Sequence, residues 1–284
     1  MPEIVAPALE VLGLEVLDVG DPWYPKDPHA EQVAASEVLG IPLAVRHRLT
    51  QIGLILIPGG RFWMGADPDD ADATDAEMPR RQLTIDPFYA GITPVTQAAW
   101  QLAMGSAPSE FTGSDRPVES VSWVDVQGFL ASAAREGGVL RLPTESEWEY
   151  AARGGQEGRY WWGSQYEAGQ ACCDDAAVGG KTPTKTAPVG QFPANPFGLH
   201  DALGSVYEWV ADSWHPSYRG APSDGSAWGG GTDARARVVR GGSWYHRPAN
   251  LRVSYRDPDP IDFSFFDLGF RCALSIPSAD SFQA

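Results

Sequence analysis

The chain has little of what staples, anchors or neutralises a protein. Three cysteines occur, Cys172, Cys173 and Cys272, too few for a disulfide framework. The adjacent first two could pair only in a strained ring. Basic side chains are outnumbered, with 21 Lys and Arg against 37 Asp and Glu and a formal net charge of −16. Clustered cations for a phosphate backbone are missing, as is a basic face for anionic lipid, so no nucleic-acid partner is expected. Membrane insertion is not expected either, because no apolar run approaches the roughly 18 residues of a span. Met1-Pro2-Glu3-Ile4 lacks the basic and apolar regions of a signal peptide. The expectation is cytoplasmic synthesis, with later association with a virion or a cell surface left open.

What is present points to a folded but irregular chain. Hydrophobic residues make up 43% of 284, which disfavours disorder. Glycine (31), proline (24) and tryptophan (11) imply many turns held by large aromatic contacts. Leu12 to Val19 reads as a strand and His29 to Leu39 as a helix, separated by the Pro-rich break Asp21 to Pro28. From Gly53 to Gly65 the pattern is strand, turn, strand. Ala66 to Glu77, with five aspartates in its first ten residues, lacks the ligand spacing of a calcium loop and reads as a solvated acidic loop. Ser122 caps a helix beginning at Trp123, and Thr144-Glu-Ser-Glu147 is a capping box opening another. Beyond Gly155 no long helical period remains, so the class is α+β with much irregular structure.

Several segments resemble, in order, those of one family. They include Leu56-Ile-Pro-Gly-Gly-Arg-Phe-Trp-Met-Gly65, Arg116-Pro-Val-Glu-Ser-Val-Ser-Trp123 and Leu140-Arg-Leu-Pro-Thr-Glu-Ser-Glu-Trp-Glu-Tyr-Ala-Ala-Arg-Gly154. Gly204-Ser-Val-Tyr-Glu-Trp209, Arg240-Gly-Gly-Ser-Trp244 and Leu268-Gly-Phe-Arg-Cys272 complete the series. Together they resemble the formylglycine-generating-enzyme (sulfatase-modifying factor) domain, a relative of the C-type lectin fold. The resemblance implies an α+β, C-type-lectin-like domain over about 52–275. Residues 1–51 would be an extension packed on it, and 276–284 a tail.

Within that family the chemistry divides. The oxidase binds copper through a pair of cysteines just after Gly-Gly-Ser, and Cu(I) favours thiolates. Here Trp244-Tyr-His-Arg-Pro-Ala-Asn-Leu251 holds none. Iron-dependent sulfoxide synthases carry a His-x-x-x-His-x-Glu motif that His29, His47, His200, His215 and His246 do not form. The expectation is therefore a protein that is not an enzyme and has no cofactor, the alternative being a divergent metal-dependent oxidase or sulfoxide synthase. A third branch is the variable protein of diversity-generating retroelements, whose C-terminal segment is rewritten at adenines, typically in AAC codons. Such rewriting cannot yield Lys, Glu, Gln, Met or Trp, and Tyr245 to Asp267 contains none of the five.

The resemblance thus implies a ligand-binding variable region at about 245–267, its partner an unknown protein or surface ligand. Tyr245, His246, Arg247, Tyr255, Asp257, Asp259, Ile261, Phe263, Phe265, Phe266 and Asp267 are the candidate contacts. Stiff aromatics with adaptable polar groups suit a recognition surface. Pro258 and Pro260 argue against an interior strand there. Trp209 and Trp244 read as core anchors, Arg240 and Arg271 as loop-ordering side chains. Glu208 matches a position that helps hold structural calcium in some relatives, although Ser205 stands where those have Asn.

Overall fold

In chain order the strands are β1 (Leu14–Val16), β2 (Ala44–His47), β3 (Gly53–Ile57), β4 (Gly60–Met64), β5 (Arg81–Ile85) and β6 (Phe88–Gly91). They continue with β7 (Tyr207–Ser213), β8 (Ala236–Arg240), β9 (Arg256–Pro260), β10 (Leu268–Gly269) and β11 (Ala273–Ser275). This computed structural model describes residues 9–10, 12–137, 140–231 and 235–276. The expected tail therefore lies, from residue 277 on, outside the described residues.

Why β3 is apolar at every position after Gly53 is plain from its place. It sits in the middle of a five-stranded antiparallel sheet ordered β1-β2-β3-β6-β11, and both of its faces are covered. Leu54 and Leu56 point into one core with Trp100, Phe129 and Phe270. Ile55 and Ile57 point into another with Phe88, Tyr150 and Phe197. A second sheet, ordered β10-β7-β8-β9, carries the C-terminal half, and β4 and β5 form a separate hairpin.

Four α-helices occur among the described residues: α1 (Ala30–Leu39), α2 (Gln97–Met104), α3 (Trp123–Ala133) and α4 (Glu145–Arg153). Ser122 and Thr144 cap α3 and α4 through capping boxes, as their spacing implies. Helix α2 was not foreseen. Thr96 caps it through the amide of Ala99, and Gly105 ends it at φ 66°. Its Trp100 stacks on Phe129 of α3 at 5.4 Å.

The acidic loop is solvated in part: Asp67, Asp69, Asp72 and Asp75 are exposed, while Asp70 and Glu77 are drawn in. Asp70 contacts Arg159 at 3.2 Å and Arg252 at 3.4 Å, and Asp67 contacts Arg80 at 3.1 Å. At its end Glu77 is buried and takes a forked pair from Arg252 at 2.6 and 2.9 Å. Arginines distant in sequence, invisible to local pattern, draw the loop onto the domain.

Candidate functional site

The site is built on the two faces of the β7–β8–β9 sheet. Pairing sets Glu208 opposite Arg240 and Arg240 opposite Arg256. Side chains alternate across a strand, so these three share the face toward α4. There Arg256 forks onto Glu145 at 2.7 and 2.7 Å, and Arg240 bonds Glu149. Arg153 reaches the same Glu149 at 2.8 Å.

Residues one step along belong to the opposite face. Trp209 lies opposite Val239, Val239 opposite Asp257, and Arg237 opposite Asp259. Tyr207, two before Trp209, shares this face. Beyond β8 the chain must bend sharply, and Gly241 and Gly242 do so at φ 94° and 71°. A Cβ on Gly241 would meet the carbonyl oxygen of Ala202 at 2.7 Å, and one on Gly242 would meet Leu251 at 2.6 Å.

The bend delivers Ser243, fully buried, beneath the candidate surface. Its Oγ donates to Asp267 at 2.6 Å and lies 2.7 Å from Nδ1 of His246. With the hydroxyl proton given to Asp267, His246 Nδ1–H is the donor to Ser243 Oγ. Tyr207 meets the His246 ring edge-on at 4.9 Å. The Tyr255 hydroxyl donates to Asp257 at 3.3 Å.

Charge crowds this group. Burial, then Asp257 and Asp267, push Asp259 up to about 7, while His246 pulls it down. Burial also raises Asp257, against the Tyr255 hydrogen bond and His246. The Tyr207 hydroxyl is raised by burial and by Tyr255, Asp257 and Asp267. The group can receive hydrogen bonds and positive charge.

Above it lies an aromatic rim. Tyr245, Phe263 and Phe265 are 59%, 40% and 42% exposed. Phe266 is half-buried, meeting Tyr245 at 5.7 Å and Phe265 at 4.0 Å. The main chain ties this loop at two points, where the carbonyl oxygens of Ile261 and Phe265 accept from the amides of Val124 and Ser120, while Asp262 pairs with Arg235 and Phe266 packs on Trp244 and Phe111. Arg247 is exposed, while His246, Tyr255, Asp257, Asp259 and Ile261 are half-buried. Asp267 is buried and reaches the cluster from below. Tyr207 and Ser243 were not among the residues singled out by sequence. Alternation with the anchor Trp209 would have pointed to Tyr207.

Glu208 is a correction. Its Oε2 accepts from Arg271 Nε and Trp148 Nε1, each at 2.7 Å, and its Oε1 accepts from Arg271 Nη2 at 2.8 Å. A carboxylate whose two oxygens are both engaged by N–H donors, two of them from a guanidinium, does not fit a calcium ligand. Nor do the thiols fit the copper pair. Cys172, Cys173 and Cys272 are buried, and burial pushes the first two up to about 12.

The mixed sheets and short helices are those of a C-type-lectin-like, formylglycine-generating-enzyme-like α+β domain. Residues 43–276 match the sulfatase-modifying factor enzyme 1-like domain, and the chain belongs to that family. A formylglycine-generating enzyme of Thermomonospora curvata is 31% identical, over 78% of this chain and 93% of that protein. Among solved structures, PvdO from Pseudomonas aeruginosa superposes with a TM-score of 0.71 at 30% identity, covering 80% of this chain and 95% of that one. Treponema denticola variable protein 1 superposes with a TM-score of 0.68 at 25% identity, covering 79% and 95%.

These relatives overturn the expectation that the chain is not an enzyme. Several curated relatives at about 30% identity are formylglycine-generating enzymes. Lack of one thiolate pair argues against one mode of copper ligation. It does not remove the chain from a family of enzymes.

Proposed function

We propose that the chain recognises a ligand through the aromatic rim of residues 245–267 and the polar cluster beneath it. One observation carries this reading. Large aromatic side chains stand exposed at Tyr245, Phe263 and Phe265, and backbone bonds at Ile261 and Phe265 help to hold the loop that carries the two phenylalanines. Side-chain identity can change there without loosening the fold. The likeness to Treponema denticola variable protein 1 supports a retroelement-diversified surface.

The segment is not uniform, which sharpens the test. Leu251, Arg252, Val253, Ser254 and Arg256 are buried. Diversification is therefore expected at codons 245–247, 255, 257, 259 and 261–266, with 251–254 and 256 constant. Sequencing the gene's surroundings checks this. A reverse transcriptase and a near-copy of the 3′ segment, differing at adenines of the first set of codons, are expected. Their absence, or differences spread over the buried codons, would sink diversification.

A second reading, a divergent oxidase or sulfoxide synthase, is favoured by the enzyme relatives and by the Ser243–His246–Asp267 group. His246 would supply proton transfer at the same polar cluster. Metal content and oxygen consumption of the purified protein test it: stoichiometric copper or iron with oxygen uptake would favour this reading over recognition alone.

A further inference from the structure

We infer that the cavity between the start of α1, the start of β4 and the end of α4 takes a small primary amine, bound as its ammonium ion. The site shares no residue with the aromatic rim and goes beyond the recognition reading. The cavity holds about 330 Å3, the small end of ligand sites, and its wall includes His29, Glu31, Gly60, Phe62, Tyr150 and Glu157. Two of these are packed aromatics, with the Phe62 ring 5.2 Å from that of Tyr150.

Tyr150 supplies the observation that points to a ligand. It is 4% exposed, yet its hydroxyl makes no hydrogen bond with any described residue. The hydroxyl is aimed at the cavity wall at Gly60, where a Cβ would meet its oxygen at 2.4 Å. Glycine thus keeps open the space in front of it. Phenylalanine would serve packing alone, since a polar group carried inward without a partner is unfavourable. Burial and then the Glu31 carboxylate push this hydroxyl up to about 12, so it stays protonated and its oxygen is free to accept.

The charges select a cation. Glu31 pairs with no arginine or lysine among the described residues, and His29 Nδ1 lies 3.9 Å from it. Arg153, in the same wall, is spent on Glu149 and on the carbonyls of Gly65 and Gly158. Arg61 alternates to the face of β4 opposite Gly60 and Phe62. The first amides of α1 are taken as well, Glu31 by His29 Nδ1 and Gln32 and Val33 by the His29 carbonyl. An anion would meet two glutamates. An ammonium can donate to the Tyr150 oxygen, lie against aromatic rings and take its countercharge from Glu31.

Titration calorimetry on the intact protein at neutral pH tests this with 2-phenylethylamine and the neutral, near-isosteric 2-phenylethanol. The amine should bind roughly tenfold more tightly, or better. Tyr150→Phe should weaken the amine by about fivefold without lowering the melting temperature, because the hydroxyl bonds nothing in the fold. Glu31→Gln should bring amine and alcohol to equal affinity. D257N/D259N and Tyr245→Ser, both outside this cavity, should leave amine binding unchanged, so failure of the rim reading and failure of this one are separable. No binding by the amine, or equal binding of the alcohol to the wild-type protein, overturns the inference. So does amine binding that survives both Tyr150→Phe and Glu31→Gln, or that is lost in D257N/D259N instead.

Discussion

One sheet presents two solutions to the problem of buried charge. On the face toward α4, Glu208, Arg240 and Arg256 line up across three strands, and glutamates 145 and 149 close the set with forked hydrogen bonds. On the other face, one residue along each strand, Tyr207, Asp257 and Asp259 stand in a cluster with an excess of negative charge. The first face completes itself and braces the fold. The second sets carboxylates beside one another, and burial favours their protonated forms. Adjacent residues of β9, Arg256 and Asp257, thus do opposite work, which makes the comparison easy to break.

The largest effect should come from the braced face. Arg256→Met leaves Glu145 buried without its forked partner, a loss of about 3–5 kcal/mol. The melting temperature should fall by roughly 10 °C in calorimetry. A change within two or three degrees would mean that the face is not a brace.

A smaller effect of opposite sign is expected from Asp259→Asn. Asp259 sits at about 7 in the fold against an ordinary 3.8, so its protonated form is the one the fold favours. That advantage is complete below about 3.8 and is lost as pH rises to about 7. The variant should melt higher than the parent at pH 8, and the two should converge near pH 4. Melting curves across this range decide it, and a constant offset would refute the assignment.

Least disturbance is expected from the rim. Replacing Tyr245, Phe263 and Phe265 together by Ser should change stability by less than about 0.5 kcal/mol per site. Phe270→Ala, in the core a few residues on, should cost roughly 3–5 kcal/mol. Aromatics appear in both sets, so position alone separates them. A triple variant that unfolds alongside an intact Phe270 would make the rim part of the core.

What could be read from sequence follows how far each interaction reaches. The caps of α3 and α4 are settled within three residues, Ser122 to Asp125 and Thr144 to Glu147. Helix α2 has the same kind of cap, but only eight residues, too short for a clear period. The pairs Arg252–Glu77 and Arg256–Glu145 span 175 and 111 residues and leave no local trace. For the same reason Asp70 and Glu77, drawn in from the acidic loop, read as solvated with the rest of it. At the site, residues 245 and 263–265 stood out by type and place. Ser243 and Tyr207 did not, because one lies inside a glycine bend and the other in a strand that read as scaffold. Glu208 was misassigned since its partner, Arg271, lies 63 residues away.

The Asp-Pro-Asp-Pro run of β9 has a last consequence. β9 is the outer strand of its sheet, and the amide of Ile261 donates inward to Arg235 at 2.7 Å. By alternation, the backbone nitrogens of residues 258 and 260 face outward. Both belong to proline and carry no hydrogen, so the rim of the sheet offers a second chain no donor at either place. Self-association by strand addition is blocked beside the surface that displays exposed phenylalanines, and the protein can show a sticky face to its surroundings without polymerising through it.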